Sequence, residues 1–267
     1  MAINTRTTSG KSGVFLAFIP LLGGLFIDNE ENRAAIKAAR EHSGAQQKEG
    51  YQGYKGTSSS AKALAFLKEK GIQSVASVGG LLRGISTSES ETDGVTYRRV
   101  YVTLRDNGES YTLKLDASNA GTHKLLQKLA NVQLNEQVEI SIFGSYKPNA
   151  KNPDGPCFTD YAASVKNAAG EVKVAEGAWN AVNEVVKSME SHLSVIPNVA
   201  KETISTATRN AKTSYFTDMA KKQGAEMSAA REAEKAECDH VEQQASDEFA
   251  KSGGAPEYFE YDDGIPF

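Results

Sequence analysis

Apolar and polar residues alternate along the middle of the chain, from about residue 75 to residue 165. In the run 97–105, Val100, Val102 and Leu104 fall on one side. Side chains two residues apart share a face of a strand, so this run predicts a strand with one buried face and one polar face. The polar face carries aromatic and basic residues, namely Tyr97, Arg99, Tyr101 and Arg105.

Similar patterns predict further elements around this strand. Asp106-Asn107-Gly108 is a strong hairpin turn, and leucines at helical spacing follow between 118 and 130. The predicted order is strand, strand, strand, helix, strand, strand, at 75–87, 97–105, 111–115, 118–130, 138–142 and 158–165. This is the order of an oligonucleotide-binding fold. We therefore expect an α+β protein with a five-stranded, OB-fold-like β-barrel core, and a small mixed α+β domain is the alternative.

The flanking segments differ in composition from this core. The apolar run 14–27 is shorter than the about 20 residues needed to cross a bilayer, so we expect buried strand or turn structure there and no signal peptide. The run 178–251 is rich in helix-forming residues. We predict four regions: an N-terminal α/β extension (1–74), the OB-fold-like core (75–174), a helical segment (175–251), and a flexible linker with a disordered acidic interaction tail (252–267).

Charge is distributed unevenly along the chain, although the net charge is only −4. Residues 1–74 carry ten Lys and Arg against six Asp and Glu, and residues 75–170 carry ten of each. Residues 171–267 carry ten basic and eighteen acidic residues. Such asymmetry suggests nucleic-acid contact at one end of the chain and an acidic tail at the other.

Cysteine and histidine are too sparse for a disulfide framework or a structural metal site. The two cysteines, Cys157 and Cys238, lie in segments of different predicted structure, which fits a reducing cytoplasm. Cys238 and His240 lack the second ligand pair that a zinc site needs. No phosphate-binding loop, nucleophile elbow or metalloprotease motif stands out. The sequence therefore predicts no enzyme, no catalytic residue, no metal and no cofactor.

The most specific motif is an acidic and apolar run after a Gly-rich linker: Asp262-Asp263-Gly264-Ile265-Pro266-Phe267. Phe267 supplies an aromatic ring and a terminal carboxylate, which together suit an apolar pocket beside Arg or Lys. Ile265 adds an apolar contact, and Pro266 lowers the entropy lost on ordering. Asp262 and Asp263 attract basic partner surfaces. We predict that these five residues bind partner proteins.

This tip resembles the end of bacterial single-stranded-DNA-binding proteins, which typically reads Asp-Asp-Asp-Ile-Pro-Phe. Gly264 departs from that pattern, and the helix-forming connector replaces the usual disordered linker. In these respects the chain resembles the phage-encoded type more than the cellular one. The resemblance implies a protein of the bacterial cytoplasm that recruits replication, recombination or transcription proteins through its tip. It implies no membrane partner and leaves the oligomeric state open.

Single-strand binding needs aromatic faces that stack on bases and cations that follow the phosphates. The predicted strands place both kinds of residue near one another. The candidates for binding single-stranded DNA are Tyr97, Arg99, Tyr101, Arg105, Phe143, Tyr146, Lys147, Lys151 and Tyr161. The alternative is that several of these aromatics pack the barrel. The loop around Tyr51 and Tyr54, with Lys48 and Lys55, either extends the same surface or contacts nothing.

Two functions follow from these features. The first is non-catalytic binding and protection of single-stranded DNA in replication, recombination and repair, with the tip recruiting partners. The alternative is a helical, oligomerising protein-interaction or transcription-cofactor protein that uses the barrel for protein contacts. A nuclease is a third, less supported option, because no paired-carboxylate motif is present.

Overall fold

The computed structural model describes residues 13–46, 49–53, 55–92, 95–147 and 158–251. The first part of the chain forms a strand pair and two helices. These elements are β1 (Val14–Ile19), β2 (Gly24–Ile27), α1 (Glu30–Ser43) and α2 (Ser59–Glu69). The apolar run 14–27 is thus two strands joined by a short 3-10 turn, as its pattern predicts.

The middle of the chain follows the predicted order of strands and helix. Its elements are β3 (Val78–Thr92), β4 (Val95–Asp106), β5 (Glu109–Asp116), α3 (Ala120–Leu129), β6 (Gln137–Lys147) and β7 (Phe158–Asn167). The turn between β4 and β5 places Asn107 and Gly108 at positive φ. Two successive positive φ angles match the right-handed twist of the paired strands, so the hairpin prediction is confirmed.

A short strand and two helices complete the described chain. They are β8 (Gly170–Glu171), α4 (Ala178–Ser194) and α5 (Lys201–Lys251). None of the helices in the described ranges has both the length and the apolar composition to cross a membrane.

The eight strands of the described residues form one sheet, in the order β2-β1-β5-β4-β3-β6-β7-β8. The α+β class is therefore confirmed, but the closed five-stranded barrel is wrong, because the sheet is open. A barrel of β3 to β7 requires each strand to have both neighbours within that set. Instead, the second edge of β5 pairs in parallel with β1, and the second edge of β7 pairs with β8.

The sheet curves enough to bring distant strands together. The turn after β1 reaches β6, where the Gly144 N–H donates to the Gly23 carbonyl at 2.8 Å. Leu25 of β2 makes one isolated antiparallel bridge to Val75, just before β3. The N-terminal strands are thus part of the curved sheet.

Two apolar cores stabilise these elements. The larger core joins the inward residues of the sheet to α3 and to the first part of α5, with Phe216 fully buried. The smaller core joins the β1–β2 turn to α1 and α2 around Phe26 and Leu67. The chain divides into two compact units, Met1–Met227 and Ser228–Phe267. The region boundaries proposed at 74, 174 and 251 stay predictions.

Candidate nucleic-acid interface

The outward side of β4 presents the aromatic and basic residues that its alternation predicts. Val100, Val102 and Leu104 are fully buried on the inward side. On the outward side, Tyr97 is 44% exposed. Arg99 and Tyr101 on the same side are less exposed and lie partly buried. Farther along the same side, Arg105 is exposed. The buried face anchors the strand, so the outward side chains are held at regular spacing on a rigid support.

Pairing with β5 adds a cation beside these residues. Lys114 lies directly opposite Tyr101, and Asp116 lies opposite Arg99. We call the outward residues Tyr97, Arg99, Tyr101 and Lys114 the β4–β5 face. Two tyrosine rings and two cations on adjacent strands combine stacking surfaces with positive charge, which is what single-strand binding requires.

Pairing with β3 supplies hydroxyl groups on the other side of β4. Ser86 lies opposite Tyr101, and Ser88 lies opposite Arg99. Ser88 Oγ and Tyr101 Oη are 3.2 Å apart and share a hydrogen bond, which orients the tyrosine ring. A pocket of about 170 Å³ opens beside this face, between Tyr97, Lys114 and Ala17 of β1.

Asp28 links this face to α1. Its side chain is only 7% exposed, and its Oδ2 accepts a hydrogen bond from Lys114 Nζ at 3.1 Å. Its Oδ1 accepts a second one from Arg33 Nε at 2.5 Å. Burial alone raises the pKa of Asp28, but the hydrogen bonds and charges of Arg33 and Lys114 outweigh it and hold the pKa below its usual value. The ionised carboxylate therefore positions both cations.

No family model, curated protein or solved structure matches this chain. The site must be interpreted from the residues themselves. The resemblance of the segment 262–267 to bacterial single-stranded-DNA-binding proteins stays a prediction.

Tyr161 and Tyr146, two of the predicted DNA-binding residues, take part in internal packing. The Tyr161 ring meets Phe18 edge-on with centroids 5.5 Å apart, and its hydroxyl accepts from the Tyr51 N–H at 3.2 Å. The same hydroxyl donates to the Pro20 carbonyl at 3.3 Å. Burial raises the pKa of Tyr161. These contacts favour the packing alternative for Tyr161.

Tyr146 packs in the same region, against the loop that follows α1. Its ring lies 6.4 Å from that of Tyr51, which is buried. A Cβ added at Gly53 would lie 2.3 Å from the Tyr146 ring, so the loop backbone rests directly on this ring. Tyr51 therefore helps to attach the loop to β6. It does not extend the β4–β5 face.

The remaining candidates are dispersed. Phe143 is 46% exposed on β6, which is separated from β4 by β3. Lys147 ends β6, opposite Phe158 in the register. Lys55 is exposed. The predicted residues that lie outside the described ranges are Lys48, Tyr54, Lys151, Asp262, Asp263, Ile265, Pro266 and Phe267.

Two cations of this region were missed by the sequence reasoning. Lys114 occupies a polar position in the alternating run 111–115, and that pattern alone could have placed it on an outward face. Arg33 lies on α1, far from the core strands in sequence. Only the Asp28 contacts reveal that it lies near Lys114.

Proposed function

We propose that this protein binds single-stranded DNA without catalysis, through the β4–β5 face. The observation that carries the proposal is the juxtaposition of Tyr97, Arg99, Tyr101 and Lys114 on two adjacent strands. Base stacking on an aromatic ring contributes about 1–3 kcal/mol per base. Arg99 and Lys114 would neutralise the phosphates between the stacked bases.

This arrangement would bind without strong sequence preference. Stacking is tolerant of sequence because every base has a π-face. The hydroxyl of Tyr101 already shares a hydrogen bond with Ser88, and the carboxylate of Asp28 already accepts from two cations. The Asp28 side chain is also only 7% exposed, so it is poorly placed to read base edges.

Partner recruitment is the second part of the proposal and depends on the sequence of the segment 262–267. Its acidic residues and its Ile-Pro-Phe end have the chemistry of a peptide that docks into an apolar pocket with a basic rim. We propose that it brings replication, recombination or repair proteins to the coated strand.

The test is the affinity for an oligo(dT) probe, measured by fluorescence anisotropy over a salt series. We expect the affinity of the wild-type protein to fall linearly in a plot of log K against log salt. Arg99→Ala should weaken binding and lower the slope by about 0.7, the value for one phosphate contact on a single strand. Lys62→Ala, at an exposed position on α2, is the matched control and should change neither quantity. No binding at low salt, or equal effects of the two variants, would refute the proposal.

A further inference from the structure

A second groove continues from the β4–β5 face. It lies between α1 and the strands β1 and β2, and its cavity has a volume of about 280 Å³. We call it the α1 groove. Apolar residues form most of its lining: Ala17, Ile19, Phe26, Ile27 and Ile36.

The alternation of β1 explains this apolar lining. Leu16 and Phe18 point into the larger core, so Ala17 and Ile19 lie on the opposite side of the strand. Ile19 and Ile36 pack on the smaller core but remain partly exposed. The described residues thus leave an apolar cleft between α1 and the outward side of β1 and β2.

The rim of this cleft is basic. Arg33, Lys37 and Arg40 recur at spacings of four and three residues, which places them on one side of α1. Arg33 uses Nε to bind Asp28, and its side chain is 61% exposed. Lys37 is exposed. Arg40 donates from Nη1 to the Gln46 carbonyl at 2.9 Å.

The α1 groove is continuous with the β4–β5 face. Ala17 lines both the α1 groove and the pocket beside Tyr97. Asp28 also joins the two, because its carboxylate binds Arg33 on the groove rim and Lys114 on the face. A chain bound along one surface would therefore meet the other across Asp28, whose negative charge is balanced by Arg33 on one side and by Lys114 on the other.

We propose that the α1 groove holds the next stretch of the same bound single strand, with one unstacked base in the apolar cleft and its flanking phosphates on Arg33 and Lys37. This inference rests on the proposed function and extends its site. A nucleotide combines an apolar base face with an anionic phosphate, as the cleft combines an apolar floor with a basic rim. Apolar side chains contact the face of a base and not its hydrogen-bonding edge, so the cleft would accept any base.

The direct test is Lys37→Glu, because Lys37 is exposed on the rim. Lys68→Glu on α2 makes the same charge change at an exposed residue that does not line the groove. Oligo(dT) probes of increasing length are titrated against the wild-type protein and both variants over a salt series. With short probes, all three proteins should bind alike. With long probes, Lys37→Glu alone should bind about tenfold more weakly. The slope of its log K against log salt should become shallower by about 0.7 or more.

A crosslinking measurement provides an independent readout. A photoreactive phenylalanine analogue placed at position 37 should crosslink to long oligo(dT), and the same analogue at position 68 should not. If Lys37→Glu and Lys68→Glu bind long probes equally, or position 37 does not crosslink, the inference is wrong.

The outcomes separate this inference from the proposed function. Loss of binding in Arg99→Ala, with wild-type behaviour of Lys37→Glu, overturns only the α1 groove. Absence of any wild-type binding to oligo(dT) overturns both. Lys37→Glu could also keep its DNA affinity but fail to bind an acidic aromatic peptide that the wild-type protein binds. That result would assign the groove to a peptide partner and overturn the inference.

Discussion

Tyr97 and Tyr161 lie on strands of one sheet and have different surroundings. Tyr97 leaves nearly half of its surface in solvent. Tyr161 is half-buried, meets Phe18 edge-on and holds hydrogen bonds at both Pro20 and Tyr51. Stacking on DNA requires an accessible ring face, whereas an internal hydrogen-bond network requires an enclosed hydroxyl. We therefore expect a substitution at Tyr97 to change DNA affinity and a substitution at Tyr161 to change stability.

Tyr97→Ala should weaken binding to oligo(dT) by about 5- to 150-fold, which corresponds to the loss of about 1–3 kcal/mol of stacking. Tyr97→Phe keeps the ring and should bind like the wild-type protein. Fluorescence anisotropy gives the affinities, and thermal unfolding should show little change for either variant. The matched case is Tyr161→Phe, which should lower stability by about 1 kcal/mol and leave DNA affinity unchanged. Equal affinity of Tyr97→Ala and the wild-type protein would exclude stacking at this position.

The individual residues of the interface were only partly predictable. The alternation of β4 correctly placed Tyr97, Arg99 and Tyr101 opposite a buried face, because facing along one strand depends on parity alone. The contact between Asp28 and Lys114 joins residues 86 positions apart. No local pattern specifies such a contact, since it requires β1 to lie beside β5.

At the scale of elements, the contact between α3 and α5 contains a titratable ring. His123 stacks on Phe216 with centroids 4.0 Å apart, and its Nε2 lies 2.7 Å from the Ala117 carbonyl. Burial lowers the pKa of His123, and the charge of Lys212 acts in the same direction. The Ala117 hydrogen bond and the Asp116 charge oppose the shift without reversing it. The folded protein therefore favours the neutral ring.

Stability should fall as the pH decreases below about 6.5, the ordinary pKa of histidine. The unfolded chain takes up a proton at that pH, whereas the folded chain resists protonation until its lower pKa is reached. Thermal unfolding should therefore show that His123→Phe loses less stability than the wild-type protein between about pH 7.5 and about pH 5. His240→Phe, at an exposed position on α5, is the control and should behave like the wild-type protein. An equally steep pH dependence in His123→Phe would contradict the assignment.

The packing stripe of α5 shows why an element can be predicted while its buried face is missed. Phe216, Ala220, Gln223 and Met227 are buried at alternating spacings of four and three residues. The stripe is short and includes a polar residue, so the sequence shows no sustained heptads. At Gly224, an added Cβ would lie 2.2 Å from the Ile85 carbonyl oxygen. The close approach of α5 to β3 therefore depends on a residue without a side chain.

At the scale of the whole molecule, charge separates along the chain. The basic excess of residues 1–74 includes Arg33, Lys37 and Arg40 on the α1 groove, and the acidic excess falls in residues 171–267. An acidic segment can bind a basic surface of its own chain and so compete with DNA for that surface. We expect the acidic tail to weaken DNA binding at low salt.

Deletion of residues 261–267 should leave the affinity for oligo(dT) unchanged or raise it, and should abolish capture of replication proteins from a bacterial lysate. The control is a chain whose last seven residues are the same but in scrambled order. It keeps the charge, so its DNA affinity should equal that of the wild-type protein, and its partner capture should be lost. Loss of DNA binding on deletion would contradict a division of labour between the tail and the sheet.

The sequence by itself determined the local elements of this protein. The strand or turn structure within 14–27, the hairpin at 106–108, the two-sided β4 and the helical stretches depend on residues a few positions apart, which the hydrophobic period and turn chemistry describe. The tertiary structure alone decided the order of the strands. The parallel pairing of β1 with β5 joins residues about 97 positions apart. That pairing opens the predicted barrel and brings Asp28, Lys114 and the α1 groove to the β4–β5 face.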